Sequence, residues 1–182
     1  MFRTLVTPIA TLSKEFEQNS ITCISPSKTF NLAGLYASAI IIPNAKHRRQ
    51  FHEARRGIVP GPNVFGLIAM EAAYMNGDEW LEQLLVYLNG NLEYLLTFFV
   101  RKLPRIKVIK PEGTYLVWLD CRELGLFPED LKRFMKNDAR VALDEGSLFG
   151  PSGAGFARMN IACPRSTLIE ALKRLETAVN TI

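Results

Sequence analysis

One lysine stands in the run Ser25-Pro26-Ser27-Lys28-Thr29-Phe30-Asn31-Leu32-Ala33-Gly34-Leu35, a stretch of small and turn-forming residues. Apolar, strand-forming residues flank it, Ile21-Thr22-Cys23-Ile24 before and Leu35 to Ile42 after. A lysine held between two buried strands is costly as an ammonium, so burial favours its neutral amine. A neutral lysine amine is a nucleophile for carbonyl groups. The hydroxyls of Ser25, Ser27 and Thr29 are spaced to hold an anion such as a phosphate beside it. The same spacing also suits a surface turn, in which Ser and Thr bond their own backbone and Lys28 points into water. Spacing alone leaves both readings open.

Three further segments carry specific residue patterns. They are Gly61-Pro62-Asn63-Val64-Phe65-Gly66, Glu112-Gly113-Thr114-Tyr115-Leu116-Val117-Trp118-Leu119-Asp120 and Phe156-Ala157-Arg158-Met159-Asn160-Ile161-Ala162-Cys163-Pro164-Arg165. With the lysine turn, and in this order, they resemble the class I/II aminotransferase family of pyridoxal phosphate (PLP) enzymes. The resemblance is closest to the branch of cystathionine β-lyases and other C–S lyases.

That resemblance implies roles for single residues. Lys28 matches the lysine that forms the Schiff base with the cofactor and, once displaced, removes the substrate Cα proton as general base. Ser25 or Ser27 matches a hydroxyl on the cofactor phosphate. Arg158 matches the arginine that takes the substrate α-carboxylate, where a planar fork gives bidentate geometry that lysine lacks. The alternative for Arg158 is an ordinary charge on a strand face or edge. Arg165, just before the last helix, reads as a structural partner. Gly61-Pro62-Asn63 matches the segment that reaches the neighbouring subunit in the family's dimers, and equally suits a plain break between helices. Many aminotransferases carry a phosphate-gripping arginine eight residues after the lysine. Here that position is Tyr36, which agrees with the lyase branch and removes one phosphate anchor.

Composition narrows the class. The 182 residues are 48% apolar and 22% charged with a net charge of +4, as in an ordinary globular protein. No Lys/Arg cluster is interleaved with aromatics, so no nucleic-acid partner is indicated. Cys23, Cys121 and Cys163 sit singly in apolar runs without CxxC spacing, which suits buried thiols in the reducing cytosol. His47 and His52 lie in a basic stretch with no neighbouring Cys or carboxylate cluster, so no metal site is expected. The first residues are too short an apolar run for a signal peptide or a membrane span.

The elements that position these residues alternate along the chain. A short helix is expected over 11–18, then strand, lysine turn and strand. A basic helix follows over 45–56 and another over 64–74. Asn76 and Glu79 have capping-box spacing ahead of the longest helix, whose stripe is Leu81, Leu84, Leu85, Leu88, Leu92, Leu95, Leu96 and Phe99. Strands are expected over 106–109, 115–121 and 156–162, with a short helix over 131–136. Thr167 and Glu170 have the same capping spacing ahead of a last helix.

The expected fold is therefore α/β followed by α+β. The resemblance implies that residues 1–76 are the end of a PLP-transferase-like large α/β domain, incomplete in itself, and 77–182 a small C-terminal α+β domain carrying a long interdomain helix. The chain reads as the C-terminal portion of a longer cytoplasmic, homodimeric enzyme. Its parent is expected to be a PLP-dependent C–S β-lyase acting on a small amino acid such as a cysteine conjugate. The alternatives are an aminotransferase of the same family, or a folded remnant without catalysis. Pyridoxal 5'-phosphate is expected in the parent and not in this chain alone, because the pyridinium partner and phosphate cradle of the family lie mainly upstream.

Overall fold

The structure is a computed structural model and describes residues 6–182. Of these, the residues up to Leu84 form one compact unit and Leu85–Ile182 another. In the first unit a helical turn at Ile9–Thr11 leads into α1 (Lys14–Gln18), capped by Ser13, whose hydroxyl accepts from the Phe16 amide at 3.3 Å. Strand β1 (Thr22–Ile24) pairs antiparallel with β2 (Ala39–Ile41), Thr22 opposite Ile41 and Ile24 opposite Ala39. Helix α2 (Ala45–Arg55) is capped by Asn44, and α3 (Val64–Asn76) by Asn63. Both caps supply an acceptor to orphan N–H groups of the first turn.

The expected strand over 35–42 is shorter than its apolar run. Leu35 closes a 3-10 turn, and Tyr36 takes a left-handed conformation with φ +50°, so pairing begins only at Ala39. Nor are the strands buried. Cys23, Ile24, Ile40 and Ile41 are exposed, and Ile42 and Ala37 are the apolar side chains buried there. Two strands pairing only with each other cannot cover both of their faces. The expectation of a buried Cys23 is corrected with them.

Helix α4 (Asp78–Lys102) runs from the first unit into the second. Asn76 does not cap it: Asn76 ends α3, and the Gly77 carbonyl accepts from the Leu81 amide at 2.9 Å to start α4. In the second unit β3 (Lys107–Ile109), β4 (Leu116–Asp120), β5 (Asp144–Glu145) and β6 (Phe156–Asn160) form an antiparallel sheet in the order β3-β4-β6-β5. The two-residue β5 has no legible period and was not anticipated. Helix α5 (Pro128–Arg133) continues into a π-helical turn at Phe134–Asp138, where the Ala139 amide reaches the Phe134 carbonyl at 2.9 Å. Helix α6 (Arg165–Val179) starts after Pro164, two residues earlier than its expected cap. Thr167 therefore lies within the helix, and Glu170 pairs with Arg174 at 2.8 Å.

Strand alternation sends Val117, Leu119, Ala157 and Met159 to the inner face of the sheet, where they are buried. They meet Leu92, Leu95 and Phe99 of α4 and Leu168, Leu172 and Leu175 of α6 in one core. Each of these Val, Leu, Met and Phe side chains contributes roughly 1.5–3 kcal/mol by leaving water, and the Ala157 methyl less. The outer face carries Trp118, Asp120, Phe156 and Arg158, so the core fixes the face on which the candidate arginine stands.

Candidate active site

Ser25, Ser27 and Lys28 come together in one turn of the first unit. The Phe30 amide donates to the Pro26 carbonyl at 2.8 Å and the Leu32 amide to the Ser27 carbonyl at 3.0 Å. Ser25 Oγ accepts from the Ser27 amide at 3.2 Å, lies 2.9 Å from Ser27 Oγ and donates to the Ala37 carbonyl at 2.8 Å. It thereby ties the turn to the segment leading into β2. Phe30 anchors the far side, edge-on to Tyr74 at 5.9 Å and stacked on Trp80 at 6.0 Å. Gly77 is needed beneath it, since a Cβ there would strike the Phe30 ring.

Lys28 itself is exposed and makes no hydrogen bond or ion pair among the described residues. The expectation of a lysine buried between strands is corrected, because β1 and β2 have too few neighbours to bury anything between them. An unpartnered amine beside two serine hydroxyls nevertheless suits a group that carries a carbonyl and a phosphate. On this ground the turn fits the part of pyridoxal phosphate that it would hold.

Arg158 lies in the second unit, on the internal strand β6. Trp118 is its cross-strand neighbour on β4 and Asp144 on β5. Its Nε and Nη2 both donate to Asp144 Oδ2, at 3.0 and 2.8 Å. The guanidinium lies over the Phe149 ring, 4.4 Å from its centroid. Phe149 is edge-on to Trp118 at 5.6 Å, and Trp118 stacks on Phe156 at 5.7 Å. Neither Asp144 nor Phe149 was singled out in the sequence; the Gly146-to-Gly155 loop that presents Phe149 was the available signal. Next to this face the Arg122 guanidinium grips Asp120 at 2.9 and 2.7 Å and holds its carboxyl below the usual aspartate range.

The other motif residues serve packing. Asn63 Oδ1 accepts from the Gly66 amide at 2.7 Å while its Nδ2 donates to the Leu35 carbonyl at 2.6 Å. A Cβ on Gly66 would come within 2.6 Å of that same carbonyl. Arg165 is the structural partner expected of it, donating from Nε to Asn91 Oδ1 at 2.6 Å and lying over the Tyr94 ring. No group of three or more metal-ligating side chains occurs among the described residues, and no described helix is long and apolar enough to cross a membrane.

The family model for aminotransferase class I and II matches residues 1–175. The chain belongs to this family. Cystathionine beta-lyase PatB of Bacillus subtilis is 42% identical over 96% of this chain and 45% of its own length. Protein MalY of Escherichia coli is 34% identical over 87% of this chain and 41% of its own. The crystal structure of cystalysin from Treponema denticola, which contains a pyridoxal 5'-phosphate cofactor, matches with a TM-score of 0.91. Its identity is 35%, over 94% of this chain and 44% of that one. The likeness to the C–S lyase branch is thus borne out, as is the mixed helix-and-sheet fold of PLP-dependent enzymes. The chain spans less than half the length of these relatives.

Proposed function

We propose that this chain carries the cofactor lysine and the carboxylate-binding arginine of a PLP-dependent C–S β-lyase. Its substrate is a small amino acid with a sulfur leaving group on Cβ, such as a cysteine conjugate. The observation that carries the reading is the open Lys28 amine at the Ser25–Ser27 turn in a chain of this family. Among the curated relatives, PatB at 42% identity supports a lyase over the aspartate aminotransferase of Pyrococcus horikoshii at 28%. A PLP-bound putative aminotransferase of Clostridium difficile, at 45% identity, supports the aminotransferase alternative. Residues 1–76 are then the end of the large cofactor domain and 77–182 the small domain. A cytoplasmic homodimer is the proposed setting, supported by three free cysteines and by the exposed Ile40 and Ile41 at the β1–β2 sheet.

Each residue has a defined task. Lys28 Nζ would hold the cofactor's carbonyl carbon, and Ser25 and Ser27 its phosphate. When bound, pyridoxal phosphate supplies an electron sink for the charge left at the substrate Cα. Once the substrate amine has displaced it from the cofactor, Lys28 would take the Cα proton at Nζ as general base. Arg158 holds the α-carboxylate, which fixes the direction in which the Cα–H and Cβ–S bonds point. The electron pair freed at Cα would then form the Cα=Cβ double bond as the Cβ–S bond breaks. The electrons of that bond leave with the sulfur as a thiolate, which the proton on Lys28 Nζ can neutralise.

For the chain by itself, the exposure of Lys28 favours the second reading, a folded protein without turnover. Incubation with pyridoxal phosphate, borohydride reduction and peptide mapping test the assignment. Lys28 should be tagged well ahead of the other lysines, and Lys28→Ala should lose the tag. Equal tagging of scattered surface lysines would contradict it.

A further inference from the structure

The Arg158 guanidinium is held by two side chains of its own unit, Phe149 over a face and Asp144 along an edge, and Asp144 fixes its direction in the plane. Strand β5 consists of Asp144 and Glu145 alone, and its register with β6 places Asp144 directly opposite Arg158. Cross-strand neighbours of opposite charge are within side-chain reach. Nε and Nη2 converge on the single oxygen Oδ2, which occupies one edge of the guanidinium. Phe149 covers a face, and Trp118 buttresses Phe149.

A guanidinium has five N–H donors in one plane. Two of them meet Asp144, leaving both N–H groups of Nη1 and the outer one of Nη2. That remaining pair, Nη1 with Nη2, is a fork able to meet a carboxylate bidentately. Stability does not explain the pair. The Arg158 and Asp144 side chains are 31% and 51% exposed, and ion pairs so exposed contribute little to stability.

We propose that Asp144 is a positioning residue: by holding the Nε–Nη2 edge, it turns the Nη1–Nη2 end of Arg158 outward as the fork for the substrate α-carboxylate. This rests on the reading of Arg158 as the carboxylate-binding group. A residue that merely competed with substrate would take the end of the fork, whereas Asp144 takes the side.

The test uses the 15N-labelled chain, with the Arg158 Nε–H resonance assigned by its loss in Arg158→Lys. Acetate is titrated at an ionic strength held constant with chloride. Arg158 should respond saturably in the wild type, and Asp144→Ala should weaken acetate binding roughly fivefold or more, as expected when a positioned donor pair is released. Asp144→Asn, whose amide oxygen still accepts from Nε, should stay within about twofold of the wild type. Asp144→Glu keeps the charge but displaces the guanidinium, and should bind acetate more weakly than Asp144→Asn. Charge alone predicts that Asp144→Glu binds acetate like the wild type and that both neutral variants bind it more tightly. Weaker binding in Asp144→Glu than in the wild type therefore keeps the test sharp should the alanine variant misfold. Unchanged or tighter binding in Asp144→Ala, or no response of Arg158 in the wild type, overturns the proposal. Acetate binding that persists at full strength in Arg158→Gln overturns the underlying reading of Arg158 instead.

Discussion

At the scale of single residues, three cysteines in one chain meet three environments. Cys23 is exposed on β1, whereas burial pushes the Cys121 thiol up to about 12 and raises Cys163 as well. Thiolate is the reactive form, so iodoacetamide near pH 8 should label Cys23 first and Cys163 more slowly. Cys121 should be labelled only on unfolding. Peptide mapping over time checks this, and labelling of Cys121 as fast as Cys23 would show that the core opens readily. The same raised value has a pH consequence. The neutral Cys121 thiol contributes its full stability below the unfolded-state value of about 8.5. It loses that contribution as pH climbs toward about 12. Cys121→Ala should therefore flatten the alkaline end of the stability profile. For Arg158, replacement by Lys in the cofactor-loaded enzyme keeps the charge but loses the planar fork. KM for the amino acid should rise more than kcat falls, and unchanged kcat/KM would place the carboxylate elsewhere.

At the scale of elements, the contact between α4 and the segment after β6 depends on one polar side chain. Asn91, fully buried, donates to the carbonyls of Ile161 at 2.9 Å and Cys163 at 3.0 Å and accepts from Arg165 Nε. The Tyr87 hydroxyl accepts from the Arg165 amide at 2.7 Å on the same side. Asn91→Ala strands two carbonyls and a guanidinium N–H at once. The expected cost is about 2–4 kcal/mol, since the buried Ile161 carbonyl left unpaired costs roughly 1–3 and the part-buried Cys163 carbonyl and Arg165 N–H, which water reaches, add less. Urea unfolding should show a lower midpoint with an unchanged slope. A loss below about 0.5 kcal/mol would mean that water reaches the Ile161 carbonyl as well. This latch follows β6 directly, so it also holds the strand that bears Arg158.

At the scale of the whole molecule, apolar burial is uneven. The large core cluster falls between Leu92 and Val179, whereas among the described residues before Leu84 the buried hydrophobic side chains are Ala37 and Ile42, with Pro26 in the lysine turn. A unit with few buried apolar contacts opens at lower free energy. Hydrogen exchange should therefore be faster at Thr22–Ile24 and Ala39–Ile41 than at Leu116–Asp120 and Phe156–Asn160. The exposed Ile40 and Ile41 leave a sticky sheet surface, and the chain should sediment as dimers or larger species. Equal slow exchange in both units of a monomeric chain would contradict both expectations.

What the sequence determined on its own was local or ordered along the chain. The leucine stripe of α4 and the apolar face of α6 are legible because a helix repeats every 3.6 residues. Strands β4 and β6 are legible from their alternation. The lysine turn is legible because Ser, Pro and Asn bend the chain through their own backbone chemistry. The motifs were legible by order and identity, which set the family. The tertiary structure decided what depends on partners distant in sequence. Thr167 and Asn76 have the right spacing for caps, yet the helices begin elsewhere, because Pro164 and Gly77 fix the backbone first. Lys28 is exposed although it lies between apolar runs, because burial is set by the strands that stack on a segment and not by the segment itself. Asp144 meets Arg158 only through the register of a two-residue strand, too short to carry any period, so the direction of the fork was never written in local spacing.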